Sequence, residues 1–184
     1  MNVLVIGRSP EILEKVKAGL RAKGIVAHGT TEFENASVNF NAKDFTLVAF
    51  GGGVPIPVRE KLKSEFTQQN PDVILLDTFA PIAVQHIAAA LRGDLDKREF
   101  GSRFEVTEHE GSYIVRLDAM KECDVRVEAY HLGDRLHAET ILEQHIPSGP
   151  FEARIDEGKI RRGLNMILVT LGGSEFYFHR IERN

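Results

Sequence analysis

Two fold classes follow one another in this 184-residue chain: an α/β half built on a doubly wound parallel sheet, then an all-β half forming a small antiparallel β-sandwich. Three observations predict this. Up to Leu91, short apolar runs alternate with stretches whose apolar residues recur every four positions, the pattern of strand–helix units on a parallel sheet. From Tyr113 onward, short runs rich in β-branched and aromatic residues are separated by turn residues with no helical period. Between them, Arg92 to Arg103 is polar and charged, carries Gly93 and Gly101, and reads as a linker. Domains are therefore expected over residues 1–92 and 103–184.

The elements follow in order. Val3–Ile6 is a buried strand, and Ser9 then caps a helix with Pro10 at its first position, where the missing N–H costs nothing. Ile12, Val16 and Leu20, with Leu13 beside them, form the stripe that faces the sheet, and Gly24 offers a left-handed stop. Ile25–Ala27 is a short second strand, Thr31–Phe40 a short helix, and Phe45–Phe50 the third strand. Pro57 opens a helix carrying Val58, Leu62 and Phe66, which Asn70-Pro71 breaks. Val73–Leu76 is the fourth strand, and Pro81 starts an Ala-rich helix to Leu91. Right-handed crossovers give the strand order 2-1-3-4, with any fifth strand unassigned. In the second half, Tyr113–Leu117, Val125–Ala129, Leu164–Leu171 and Glu175–Ile181 read as strands. Gly133-Asp134, Pro147-Ser-Gly149 and Gly172-Gly173 supply turns, and Leu171–Ser174 followed by Phe176 and Phe178 reads as a hairpin.

The stretch Val3-Leu-Val-Ile-Gly-Arg-Ser-Pro-Glu-Ile-Leu13 resembles the first unit of response-regulator receiver domains, where a strand ends in two adjacent carboxylates before a proline-led helix. The resemblance covers the first half of the chain and implies a flavodoxin-like sheet. It also implies lost chemistry, because Gly7 and Arg8 stand where those carboxylates would be and Gly51 where the phosphoryl-accepting aspartate would be. A pseudo-receiver is the expectation. In receivers the helix after strand four and its neighbours form the dimer face, so the resemblance makes Ile82, Ile87 and Leu91 candidates for that face or for an interdomain seam. The segment from Val125 to Arg180 is similar to the immunoglobulin-like modules of flagellar hook-capping proteins and type IX secretion sorting domains. That similarity rests on Val125–Ala129, Leu132-Gly133-Asp134, Pro147-Ser-Gly149 and Gly163-Leu164-Asn165. It implies shape rather than secretion.

Composition narrows the function classes. A net charge of -4 gives no bulk attraction to nucleic acid or to an anionic membrane. Cys123 is the one cysteine, so no intrachain disulfide or multi-thiolate zinc site forms. No run approaches membrane-spanning length and no signal peptide is recognisable, so a cytoplasmic, bacterial protein is expected.

In open α/β sheets the ligand crevice lies beyond the carboxyl ends of the strands. Arg8, Ser9, Gly51, Gly52, Gly53 and Thr78 are predicted there, an arrangement suited to an anion through backbone N–H groups, a helix N-terminus and the Arg8 charge. The competing reading is that the glycines merely permit sharp turns. A dinucleotide fingerprint fails because Arg8, Ser9, Pro10, Glu11 and Ile12 follow Gly7. A phosphate loop fails because Val-Pro-Ile-Pro follows Gly53, and a magnesium site fails for want of oxygen ligands. Asp77 is the remaining acid at the crevice and reads as a helix cap. His131 and His137 flank a turn, Glu108-His109-Glu110 reads as a solvated loop, and His86 as a partly buried helical histidine. Acids around Cys123 disfavour a thiolate, and Lys159, Arg161 and Arg162 read as a solvated turn. The expectation is a non-catalytic protein-interaction module without cofactor or metal, with a protein partner that includes a second copy of the chain. The alternatives are an anion or nucleotide sensor at Arg8 and Gly51–Gly53, and a divergent NAD(P)-type Rossmann enzyme around Asp77 and Arg8.

Overall fold

The computed structural model describes residues 1–95, 97–133 and 136–183. Contacts divide the chain into two compact units, Met1–Asp96 and Lys97–Asn184.

The first unit holds β1 (Asn2–Ile6), α1 (Pro10–Ala22), β2 (Val26–Thr30), α2 (Ala36–Asn39), β3 (Leu47–Phe50), α3 (Ile56–Gln69), β4 (Ile74–Asp77) and α4 (Ala83–Arg92). The strands form a parallel sheet in the order β2-β1-β3-β4, as right-handed crossovers require. Because side chains alternate across a strand, Val3, Val5, Leu47, Ala49 and Leu76 fall on one face, packed by α1 and α4. Leu4, Ile6, Val48 and Phe50 fall on the other, packed by α2 and α3. Both faces are buried, which is why these strands read as unbroken apolar runs. Helix α1 begins as its sequence predicts, with Ser9 Oγ accepting the Ile12 N–H. Helix α4 returns to the face of α1, and Gly19 makes the approach possible. A Cβ there would stand 2.7 Å from a methyl of Val84.

Several boundaries differ from expectation. The second strand runs on to Thr30, and the stretch Thr31–Phe40 yields only a 3₁₀ turn (Phe33–Asn35) and the four-residue α2. Its one fully buried residue is Ala36, too small an apolar stripe to hold a longer helix. Helix α4 starts at Ala83 rather than Pro81, because Phe79–Ile82 forms a tight turn closed by the Ile82 N–H on the Phe79 carbonyl. Gly93 caps it in the left-handed region at φ 71°.

The second unit contains β5 (Gly101–His109), β6 (Ser112–Ala119), β7 (Cys123–Leu132), β8 (Leu136–Ile146), β9 (Gly149–Asp156), β10 (Gly163–Leu171) and β11 (Glu175–Arg183). They form two antiparallel sheets, β11-β10-β7-β8 and β5-β6-β9. One apolar cluster draws on both, including Val115, Leu117, Phe151 and Ile155 from the smaller sheet and Val125, Val127, Ile167 and Val169 from the larger. The stretch read as a linker is partly built into this unit, since β5 opens at Gly101. Glu108 and His109 end β5 instead of forming a loop, and the turn is Glu110-Gly111, both at positive φ, which joins β5 to β6. The Gly172-Gly173 hairpin forms as expected between β10 and β11. Asp134, half of the expected Gly133-Asp134 turn, lies outside the described residues.

Candidate functional site at the carboxyl edge of the parallel sheet

The register pairs Ile6 with Phe50 and Phe50 with Asp77, so the segments after β1, β3 and β4 emerge side by side. All six residues predicted for the crevice lie on these segments, but most are already engaged. The Gly51 N–H donates to the Ile6 carbonyl at 2.8 Å and the Thr78 N–H to the Phe50 carbonyl at 2.9 Å. These bonds extend the sheet ladder by one residue and leave both N–H groups unavailable to a ligand. Ser9 is spent as the α1 cap. Gly52 is buried. The buried Thr78 hydroxyl sits 3.2 Å from His86 Nδ1, which gives that helical histidine the polar partner expected of it. Gly53 lies against Arg8, whose Cβ would be 3.2 Å from a Cβ placed on Gly53.

Arg8 is exposed, and among the described residues no hydrogen bond or ion pair holds it. Beside it, α3 follows Pro55 at its N-cap, with no side-chain cap and no acid in its first turn. Its first N–H groups therefore leave an uncompensated positive end.

The strongest electrostatic feature of the edge is one that sequence reasoning missed. Asp77 is no helix cap. Its Oδ2 accepts from Lys63 Nζ at 2.8 Å and lies 3.4 Å from an Arg59 guanidinium nitrogen. Arg59 is nine-tenths buried in the first turns of α3, and its other terminal nitrogen donates to the Val54 carbonyl at 3.2 Å. Burial pulls the Lys63 ammonium down, but its bonds to Asp77 and Glu60 outweigh that and leave its pKa above the ordinary lysine value. Asp77 Oδ1 and Arg59 Nε are shut off from solvent with no partner among the described residues. The available signal was a spacing: Arg59 and Lys63 are four apart, so one helix face carries two cations to the end of the neighbouring strand.

The residues expected at a partner face sit elsewhere. Ile87 is fully buried and Ile82 nearly so, Ile87 within the unit's own core, and Leu91 packs against the same cluster. The cause is the packing of α4 on the α1 face of the sheet, which turns its apolar side inward. Cys123 is buried, and burial pushes its thiol above the ordinary cysteine value, as suits a packing residue. Lys159 is bonded to Glu139 across the second unit, so that basic turn is partly neutralised.

No protein-family model matches the chain, and no curated protein does. Solved structures align over nearly all of it, but loosely. A GH3 β-glucosidase from Bifidobacterium adolescentis shares 10% identity at a TM-score of 0.36, covering 99% of this chain and 49% of that one. An NAD kinase from Archaeoglobus fulgidus shares 12% at 0.29, covering 100% and 90%. A protein from Agrobacterium tumefaciens shares 10% at 0.34, covering 99% and 93%. The chain spans about half the length of the two β-glucosidases it matches. It is a mixed α/β and β protein, and no described helix is long and apolar enough to cross a membrane.

Proposed function

We propose that the chain is a non-catalytic protein-interaction or regulatory module: a flavodoxin-like, receiver-type unit without phosphorylation chemistry, followed by a small antiparallel β-sandwich, acting in the cytoplasm. The observation that carries this reading is the state of the carboxyl edge. Asp77, the carboxylate that ends β4, is occupied by Lys63 and Arg59, and the hydroxyls of Ser9 and Thr78 have internal partners. The positions where the related fold carries acids hold Gly7, Arg8 and Gly51. A metal-assisted phosphoryl transfer needs free oxygen ligands and an accepting carboxylate, and the edge offers neither in this arrangement. Acetyl phosphate with magnesium, followed by intact mass, tests it. The expected result is an unchanged mass, and a stoichiometric acid-labile adduct in the first unit overturns the reading.

A second reading has its own observation. Arg8 is exposed and unpaired beside the uncapped start of α3, which favours an anion there. Phosphate, sulfate or nucleotides at millimolar level should then raise the melting temperature, and Arg8→Ala should abolish the rise. A wild type that shows no shift with any of them removes this reading.

A further inference from the structure

We infer that the second unit carries a divalent transition-metal site built on His131 and His137. The two histidines are direct cross-strand partners in the β7–β8 ladder, so they project from the same face of the sheet. Paired residues in an antiparallel ladder have Cβ atoms about 4.5–5.5 Å apart, a separation that lets two imidazoles reach one ion at zinc–nitrogen distances of about 2.0–2.1 Å. The rest of the neighbourhood fixes one ligand in place and leaves the other adjustable. The His131 ring lies between two glycine backbones: a Cβ at Gly133 would stand 2.9 Å from its Nε2, and one at Gly163 would stand 3.5 Å from its Cε1. His137 is exposed on β8, an edge strand, and free to rotate toward it.

The independent observation is His131 Nδ1, which is shut off from solvent and has no hydrogen-bond partner among the described residues. A buried imidazole nitrogen without a partner is destabilising, and a metal–nitrogen bond supplies the missing partner. Among the described residues, nothing else across the sheet competes for the nitrogen. Asn165, the partner of His131 on β10, spends its amide on Arg161 and Gly163.

The chemistry of the donors selects the ion. Glu139, two residues along β8 on the same side as His137, is held by Lys159, and Arg161 also acts on it. No group of three or more His, Cys, Asp or Glu suited to a metal occurs among the described residues. The protein thus supplies two imidazole nitrogens beside cationic side chains. Hard cations that demand oxygen are disfavoured, and Cu²⁺, Ni²⁺ or Zn²⁺ are favoured, with water completing the coordination.

Titration of the metal-stripped full chain with Zn²⁺ and with Ni²⁺ against a chromophoric chelator tests the site. One equivalent should bind. His137→Gln changes an exposed side chain and leaves the fold intact, and it should weaken binding at least about tenfold, since even a lost second-shell partner costs about 10–100-fold. His131→Gln should do the same, while His145→Gln, on the same strand as His137, should leave binding unchanged. Absence of saturable binding by the wild type overturns the site. So does binding that survives the His137 change, or binding that the His145 change abolishes.

Discussion

Each unit ties one carboxylate to several internal partners, and the two are satisfied by opposite means. Asp77 in the first unit is met by side-chain cations, Lys63 and Arg59, and one of its oxygens and one guanidinium nitrogen remain without partners among the described residues. Glu175 in the second unit is met by the backbone. Its Oε2 accepts the N–H groups of Glu99 at 2.8 Å and Phe100 at 3.1 Å, and its Oε1 accepts that of Gly101 at 3.0 Å. The Tyr177 hydroxyl stands 2.5 Å from Oε1 and 2.6 Å from the Gly101 carbonyl, and the Arg98 guanidinium covers the tyrosine ring. Burial alone would raise the Glu175 carboxyl, but the tyrosine and the three N–H groups outweigh it and hold its pKa below the ordinary value. Side-chain cations can move away or be screened, whereas the backbone N–H groups of the segment leading into β5 are carried by the main chain itself. The first carboxylate is therefore adjustable, and the second is a fixed structural latch that fastens residues 99–101 to β11.

The largest expected effect breaks the latch. Glu175→Ala leaves three N–H groups without their acceptor, while the Tyr177 hydroxyl keeps the Gly101 carbonyl, and should cost about 3 kcal/mol in urea unfolding, because each buried unsatisfied group costs about 1–3 kcal/mol. Next comes Asp77→Ala, which strands the buried Arg59 beside Lys63. It should cost about 2 kcal/mol, below the 3–5 kcal/mol of a fully buried pair because the aspartate is one-third exposed. Adding Arg59→Met should recover much of that loss, and a double variant as unstable as the single one would show that the pair is not coupled.

pH sharpens the same contrast. A carboxyl whose pKa is lower folded than unfolded contributes stability above its unfolded value, and that contribution is lost as pH falls through the folded value. The Glu175 latch should therefore hold at neutral pH and fail on the acid side of the ordinary glutamate value. Thermal melts of the wild type should fall there more steeply than those of Glu175→Gln, and parallel curves would deny the latch its pH role. A smaller effect is expected at Gly19→Ala, where the added methyl must displace Val84 and overpacking typically costs about 1–3 kcal/mol, offset in part by the better helix propensity of alanine. The smallest is Arg126→Ala, which breaks an exposed pair with Glu143 on a strand surface and should leave the melting temperature unchanged.

How much of this was legible in the sequence follows from what each element buries. The parallel sheet was readable because both faces are covered, so β1 and β3 carry uninterrupted apolar runs and their order follows from handedness alone. Strand β8 was not readable. It is an edge strand, mostly exposed, and Leu136–Ile146 shows no clean alternation. Strand β9 alternates well in the structure, but its buried set of Phe151, Ala153 and Ile155 includes a small residue and follows Pro150, which weakens the pattern. The face of α4 was misassigned because period identifies which side of a helix is apolar and not which layer it joins. At the candidate site the strand-end residues came from topology. Arg59 and Lys63 did not, because their four-residue spacing marks a shared helix face but not the distant Asp77 that the face meets, and in the second unit Glu175 gave no sign because its backbone partners are far away in the chain.

Two irregularities in the second unit bear on how it meets other molecules. Both bulges lie on edge strands: one extra residue enters β5 between Ser102 and Glu105, where Arg103 takes a positive φ, and another enters β8 opposite Val127 and Glu128. A bulged edge is kinked and twisted, so a foreign strand cannot continue its ladder in register. The exposed Glu143 on β8 adds charge to the same border. Uncontrolled strand addition, the route by which open sheets polymerise, is thereby obstructed at two of the four borders of these sheets. A protein that binds this unit is steered toward its faces or loops, and concentrated solutions of the chain should resist fibril formation.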